Sequence, residues 1–179
     1  MAKKVLIIST SLRGKSNSRR MAEEFAKGAE KAGHQVEMIS LADYQIGFCT
    51  GCLVCQTTQK CVIKDDAVKI ADKMKESEII VFASPIYYYE MSGQMKTLLD
   101  RMNPLYGSDY KFTDIYFLTC AAEDEEHVPE RAENGLQGWI DCFKRASLKG
   151  TVFAGGAINP GEIEAHRALK DVFIMGQLI

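Results

Sequence analysis

The sequence predicts a doubly wound α/β domain, with a five-stranded parallel sheet as the middle layer of a three-layer α/β/α sandwich. Three observations lead there. Two continuous apolar runs, Val5–Ile8 and Ile79–Ala83, read as strands covered on both faces, the situation of strands in a parallel sheet. Weaker strand signals follow at Val36–Ile39, Ile115–Leu118 and Thr151–Ala154. Between these runs the apolar spacing becomes helical, so that strand and helix alternate five times. Such alternation requires right-handed crossovers and places a ligand crevice beyond the carboxyl ends of the strands, where the strand order reverses.

Taken in order, the first strand is followed by a polar loop and a helix starting at about Arg19, with Met21, Phe25 and Ala29 at four-residue spacing. After the second strand, the stretch Leu41 to Asp65 has no clear periodicity and exceeds the usual length of a strand–helix connection, which marks it as functional. It holds four of the six cysteines. A helix around Val68–Ala71 leads into the third strand, which should end at Pro85 because proline lacks an N–H for the ladder. Met95, Leu98, Leu99 and Met102 define the next helix, on which Lys96, Asp100 and Arg101 read as local ion pairing. The fourth strand runs into an acidic turn, Glu123–Glu126. Leu136, Trp139, Ile140 and Phe143 follow the i, i+3, i+4, i+7 rule, and Ala165, Leu169, Val172 and Phe173 mark the last helix. His34, His127 and His166 read as solvated, and Cys120 and Cys142 as small buried hydrophobes.

At 179 residues and 46% hydrophobic, residues 1–179 suit one compact domain. A formal charge of −2 gives no field suited to nucleic acid or an anionic membrane, so small molecules or proteins are the expected partners. The apolar run behind Met1-Ala2-Lys3-Lys4 is too short for a signal-peptide core or a membrane span, and a cytoplasmic location is expected. Thiols in such a chain stay reduced or ligate metal.

Two loops carry the chemistry. Behind the first strand, Ser9-Thr10-Ser11-Leu12-Arg13-Gly14-Lys15-Ser16-Asn17-Ser18 gathers hydroxyls, an amide and free backbone N–H groups at one helix start, a ready seat for a phosphate. It has neither a G-x-G-x-x-G fingerprint nor a G-x-x-x-x-G-K-[ST] loop, which disfavours a dinucleotide site and a nucleotide triphosphatase; hydroxyls suit a single monoester phosphate. Behind the third strand, three consecutive tyrosines follow Ser84-Pro85-Ile86, and they cannot all enter one core. At least one ring should border the crevice, where it could flank a flat ligand. The spacing Cys49, Cys52, Cys55, Cys61 (C-x2-C-x2-C-x5-C) groups four thiols that could ligate an iron–sulfur cluster or zinc. Three cysteines at two-residue gaps are nearer to cubane-cluster spacing than to paired zinc knuckles.

Together these segments, with Cys49-Thr50-Gly51-Cys52-Leu53-Val54-Cys55, resemble the NADPH-dependent FMN reductase and iron–sulfur flavoprotein family, a branch of the flavodoxin-like fold. The likeness runs from Lys4 to about Arg101 and loosens after Thr119. It implies that Ser9, Ser11, Arg13, Ser16, Asn17 and Ser18 hold the FMN phosphate, and that Pro85, Ile86, Tyr87, Tyr88 and Tyr89 lie against the isoalloxazine. Thr119 would border the crevice from the fourth strand, although Thr119-Cys120-Ala121-Ala122 lacks the glycine-bearing turn common in the family. The implied activity is transfer of hydride or electrons from NAD(P)H to flavin, quinone or similar acceptors, with no protein acid or base required. Two alternatives remain: an electron carrier in which FMN and a [4Fe-4S] cluster on Cys49, Cys52, Cys55 and Cys61 serve ferredoxin-like partners, and a zinc-stabilised interaction module. The family's habit of forming homodimers or homotetramers makes the long loop, with Ile46, Phe48 and Leu53, the expected interface.

Overall fold

A computed structural model describes all residues, 1–179. Five parallel strands, β1 (Lys4–Ser9), β2 (Gln35–Ser40), β3 (Ile79–Tyr87), β5 (Asp114–Cys120) and β6 (Ser147–Ala154), lie in the order β2-β1-β3-β5-β6. A two-residue strand, β4 (Glu90–Met91), folds back antiparallel onto the end of β3. Two buried apolar clusters sit on opposite faces of the sheet. Phe25 and Ala29 of α1 (Asn17–Lys31) and Val172 of α6 (Ala168–Gln177) cover one face. On the other lie Met74 of α3 (Ala67–Glu76), Leu98 of α4 (Gly93–Arg101) and Leu136 of α5 (Glu130–Ile140). This is the three-layer, doubly wound arrangement that the alternation predicted.

The weaker strand signals belong to the sheet edges. β2 alternates between exposed and half-buried positions over most of its length, and β6 is half-buried with a register shift opposite Ile115/Tyr116, so neither needs the continuous apolar run of a central strand. Strand β3 corrects one expectation by passing through Pro85 to Tyr87. Ala83 O accepts from Thr10 N at the far end of β1. Pro85, two residues on, faces the same side, where β1 has already ended and no partner asks for an N–H. The long connection also has structure of its own: a 3-10 turn (Leu41–Asp43) and a five-residue helix, α2 (Val54–Thr58). No helix is long and apolar enough to cross a membrane.

Candidate functional site at the carboxyl edge of the sheet

The order in which strands are added reverses at β1, whose crossover leads to β2 on one side while β3 lies on the other, so the crevice opens above the ends of β1 and β3. Its floor is a chain of buried hydroxyls. Thr10 Oγ1 and Ser92 Oγ are 3.0 Å apart, Ser84 Oγ donates to Ser92 Oγ at 3.2 Å, and Thr119 Oγ1 donates to Ser84 O at 2.8 Å. Loops from three strands are thereby tied together, and Ser92 also caps α4 by accepting from Met95 N. Thr119 is thus a cross-strand tie, fully buried.

Helix α1 begins at Asn17, two residues ahead of the expected start, with Ser16 as its N-cap accepting from Arg19 N at 3.3 Å. Ser9, Ser11, Ser16, Asn17 and Ser18 are all buried around this helix start. Ser9 Oγ is enclosed and has no hydrogen-bond partner. Asn17 spends its carboxamide on the loop after β6, donating to Ala157 O and Asn159 O and accepting from Gly161 N. Arg13 is exposed and reaches the same loop, its Nη1 donating to Ile158 O at 2.7 Å. That fourth wall, residues 155–161, escaped sequence reasoning; Asn17 as a buried amide at a helix start was its one trace. Ser18 bonds the thiol of Cys120, which burial pushes up to about 11 against those hydrogen bonds. Cys120 is therefore the buried hydrophobe expected, and a neutral one.

The tyrosines form a two-residue hairpin turn between Tyr87 and Glu90, with Tyr88 (φ 52°) and Tyr89 (φ 65°) both left-handed. Asn-Gly would suit such a turn; tyrosines there are strained. Tyr88 is 99% exposed, whereas Tyr89 is held by the loop after β5. Its ring stacks on His127 with centroids 6.1 Å apart, Arg131 lies over its face, and a hydrogen bond with Glu123 heads the causes that raise its phenol pKa. The acidic run is exposed, yet Glu123 has this specific partner, and a Cβ on Gly155 would meet Asp124 at 2.3 Å. Of the other histidines, His34 is a structural link: its Nδ1 accepts from Lys3 N and its Nε2 lies 2.8 Å from Ile179 O.

Beside the crevice the long loop folds over α4. An apolar cleft of about 430 Å³ lies between Leu12 of the first loop, Phe48 of the long loop, and Gln94 and Thr97 of α4. Phe48 and Leu53 are exposed, while Ile46 packs against the core. Behind it, a second cleft of about 480 Å³ is lined by all four clustered cysteines, with Trp139 and Phe143 on its far wall. Cys142, expected to be buried, follows the last turn of α5 and is an exposed thiol at that cleft.

Arg101 anchors the loop, and its reading as a partner in local helix pairing is overturned. Lys96 does pair with Asp100 at 2.6 Å. Arg101 instead turns inward, with a side chain 0% exposed, and makes a bidentate pair with Asp65 at 2.6 and 2.8 Å. It also donates to Gly47 O, Ile63 O and Cys61 Sγ. The sequence signal was its position three residues past Leu98, on the buried face of α4. Burial would raise the Asp65 carboxyl, but hydrogen bonds from Arg101, Gly47 N and Ala67 N outweigh it and hold the carboxyl below its ordinary value.

The residues present fit a phosphate monoester: a buried hydroxyl with no partner, a hydroxyl-lined helix start and a nearby arginine. The donor chemistry of the thiol cleft suits a soft metal or cluster, yet no three His, Cys, Asp or Glu groups converge closely enough to hold a metal ion in this arrangement.

Sheet order and crevice together define the flavodoxin-like class of α/β proteins. Within it, the chain belongs to the NADPH-dependent FMN reductase family, whose model matches residues 3–133. An iron–sulfur flavoprotein of Methanocaldococcus jannaschii is 40% identical over 102 residues, 57% of this chain and 53% of that protein. One from Archaeoglobus fulgidus is 36% identical over 101 residues, 56% of this chain and 46% of that protein. The chain spans about half the length of these curated relatives. Among solved structures, an azoreductase from Bacillus anthracis superposes with a TM-score of 0.74 at 15% identity, covering 99% of this chain and 100% of that one. An NAD(P)H:quinone oxidoreductase from Methanothermobacter marburgensis gives 0.73 at 18% identity, covering 99% and 94%. At such identities the likeness is one of fold.

Proposed function

We propose that the chain is an FMN-dependent oxidoreductase that passes hydride or electrons from NAD(P)H to flavin, quinone or a similar acceptor. The observation that carries this reading is the orphaned, fully buried Ser9 Oγ beside the start of α1, at the point where the strand order reverses. A buried hydroxyl without a partner is unfavourable until a ligand or an ordered water completes it. Membership of the FMN reductase family supports the same ligand.

When bound, FMN would supply the redox-active ring. Ser9, Ser11, Ser16 and Ser18 would surround its phosphate, and Arg13 would add charge from the exposed side. Asn17 would act one step back by fixing the 157–161 loop against the same helix start. Pro85, Ile86 and the Tyr87–Tyr89 turn would form the bed of the ring, with Tyr89 clamped by Glu123, His127 and Arg131. The apolar cleft at Leu12 and Phe48 opens between the first loop, the long loop and the start of α4, and suits a flat donor or acceptor. Titration of the purified protein with FMN should quench flavin fluorescence to a stoichiometric end point, and the complex should oxidise NADPH or NADH when a quinone is added. Protein that leaves FMN free at high micromolar concentration would refute the reading.

One observation favours a second role, that of an iron–sulfur flavoprotein exchanging single electrons with ferredoxin-like proteins: four cysteines at C-x2-C-x2-C-x5-C spacing line one cleft, as the names of the curated relatives suggest. Reduction by ferredoxin or dithionite but not by NAD(P)H would select the carrier. Stoichiometric zinc without flavin would point instead to an interaction module. The exposed Phe48 and Leu53 suit a homodimer or homotetramer contact, and a monomeric mass in solution would remove that assignment.

A further inference from the structure

The thiol cleft contains two kinds of cysteine. Cys55 is buried and Asn103 Nδ2 donates to its sulfur at 3.1 Å; Cys61 is half-buried and Arg101 Nη2 donates to its sulfur at 3.4 Å. Both donors come from the end of α4 and the turn behind it, and Arg101 is fixed by Asp65. Cys49 and Cys52 are exposed, and Cys49 Sγ accepts only from its near neighbour Gly51 N at 3.5 Å. Left-handed residues, Gly51 (φ 67°) and Leu53 (φ 60°), flank Cys52. Four thiols therefore share a cleft, two tied to the core and two free of it, which accounts for the lack of a converged set.

We propose that Arg101 and Asn103 are positioning residues that hold Cys61 and Cys55 as a preset half-site for a thiolate-bound metal or cluster, onto which Cys49 and Cys52 close. The inference rests on the metal-binding reading of the loop. An N–H aimed at sulfur fixes its direction and stabilises the charge that the thiolate bears once bound, and the Arg101 charge offsets part of an anionic thiolate complex. Binding involves no change of oxidation state: a divalent ion and four thiols give a tetrathiolate complex and four protons released to solvent.

The test is anaerobic titration of the reduced full chain with Co2+, read by thiolate-to-cobalt charge-transfer absorption, in a Cys142→Ser background that removes the fifth thiol of the cleft. Cobalt shares the tetrahedral thiolate preference of zinc and iron. Asn103→Asp keeps the side-chain shape but replaces the donor with an acceptor, and should weaken cobalt binding by about 10–100-fold, as should Arg101→Lys. Lys96→Ala on the outer face of α4 should bind like the parent. Cys49→Ser/Cys52→Ser should retain a weaker complex with reduced absorption, whereas Cys55→Ser/Cys61→Ser should retain none. If Arg101→Lys fails to fold, Asn103→Asp decides. Unchanged affinity in Asn103→Asp, or a residual complex that survives loss of Cys55 and Cys61 but not of Cys49 and Cys52, would overturn the proposal alone. A parent protein that takes up no cobalt would overturn the metal reading along with it.

Discussion

Two residue-scale features combine a structural tension with a location at the site. Tyr88 adopts the left-handed conformation with its side chain almost wholly in solvent, so its strain of roughly 1–2 kcal/mol is not offset by packing. Tyr88→Asn, whose side chain tolerates this backbone, should raise stability to urea by up to about 1 kcal/mol. An unchanged urea midpoint would mean that the turn holds no strain. Asp65 and Arg101 form the second feature. The folded Asp65 carboxyl lies below its ordinary value of 3.8, so the stability it contributes is complete above that pH and is lost as pH falls through the lowered folded value. Asp65→Asn leaves a buried guanidinium uncompensated and should destabilise by about 3–5 kcal/mol near neutrality. The variant should also lose less stability than the parent on acidification below pH 3.8, and parallel acid curves would contradict this assignment. Nothing in the spacing of the sequence revealed the pair, because Asp65 and Arg101 lie 36 positions apart and ion pairs are legible in sequence only at helical spacing.

At the scale of elements, α1 and α6 touch backbone to backbone. A Cβ on Gly28 would lie 2.2 Å from Phe173 O, and one on Gly176 would lie 2.3 Å from Phe25 O, so reciprocal glycines set the approach of the two helices. Gly176→Ala should cost about 1–3 kcal/mol in thermal or urea unfolding, because backbone cannot yield as a flexible side chain would. Gly138 of α5 faces open space, and Gly138→Ala should instead stabilise by about 0.5–1 kcal/mol. Equal effects at the two positions would refute the close-contact argument. Both helices were legible as periodic apolar faces, and the parallel strands as apolar runs, unbroken in β1 and β3 where both faces are buried and weaker in the edge strands β2 and β6. What could not be read were the short elements made by tertiary contact. α2 is five residues long, starts and ends at left-handed Leu53 and Gln59, and has no apolar period to announce it. Strand β4 exists only because the tyrosine turn brings Met91 back opposite Ile86.

For the molecule as a whole, the crevice assembles from the loops behind β1, β3, β5 and β6, and stability and ligand binding should be linked through it. The first two loops were visible in the sequence because hydroxyl-rich and aromatic runs stand out locally. The fourth was not, since residues 155–161 acquire their role through contacts with Asn17, Arg13 and the loop after β5, all far away in the chain. Ser9 lies where these walls meet the helix start, and it permits a test in which stability and binding move in opposite directions. In the ligand-free protein its buried, unpartnered hydroxyl is a liability, so Ser9→Ala should leave stability unchanged or raise it by about 1 kcal/mol. A ligand that binds only the folded chain stabilises it by about 2.7 kcal/mol at a hundredfold excess over its Kd. If Ser9 donates to the FMN phosphate, losing a hydrogen bond to a charged group worth about 1.5–3 kcal/mol should remove roughly half to nine-tenths of that protection at the same FMN concentration. Thermal melts of both proteins with and without FMN should therefore cross, the variant equal or higher without the ligand and lower with it. Equal protection by FMN would place the phosphate elsewhere, and a variant less stable without ligand would show that Ser9 Oγ has a partner within the protein after all.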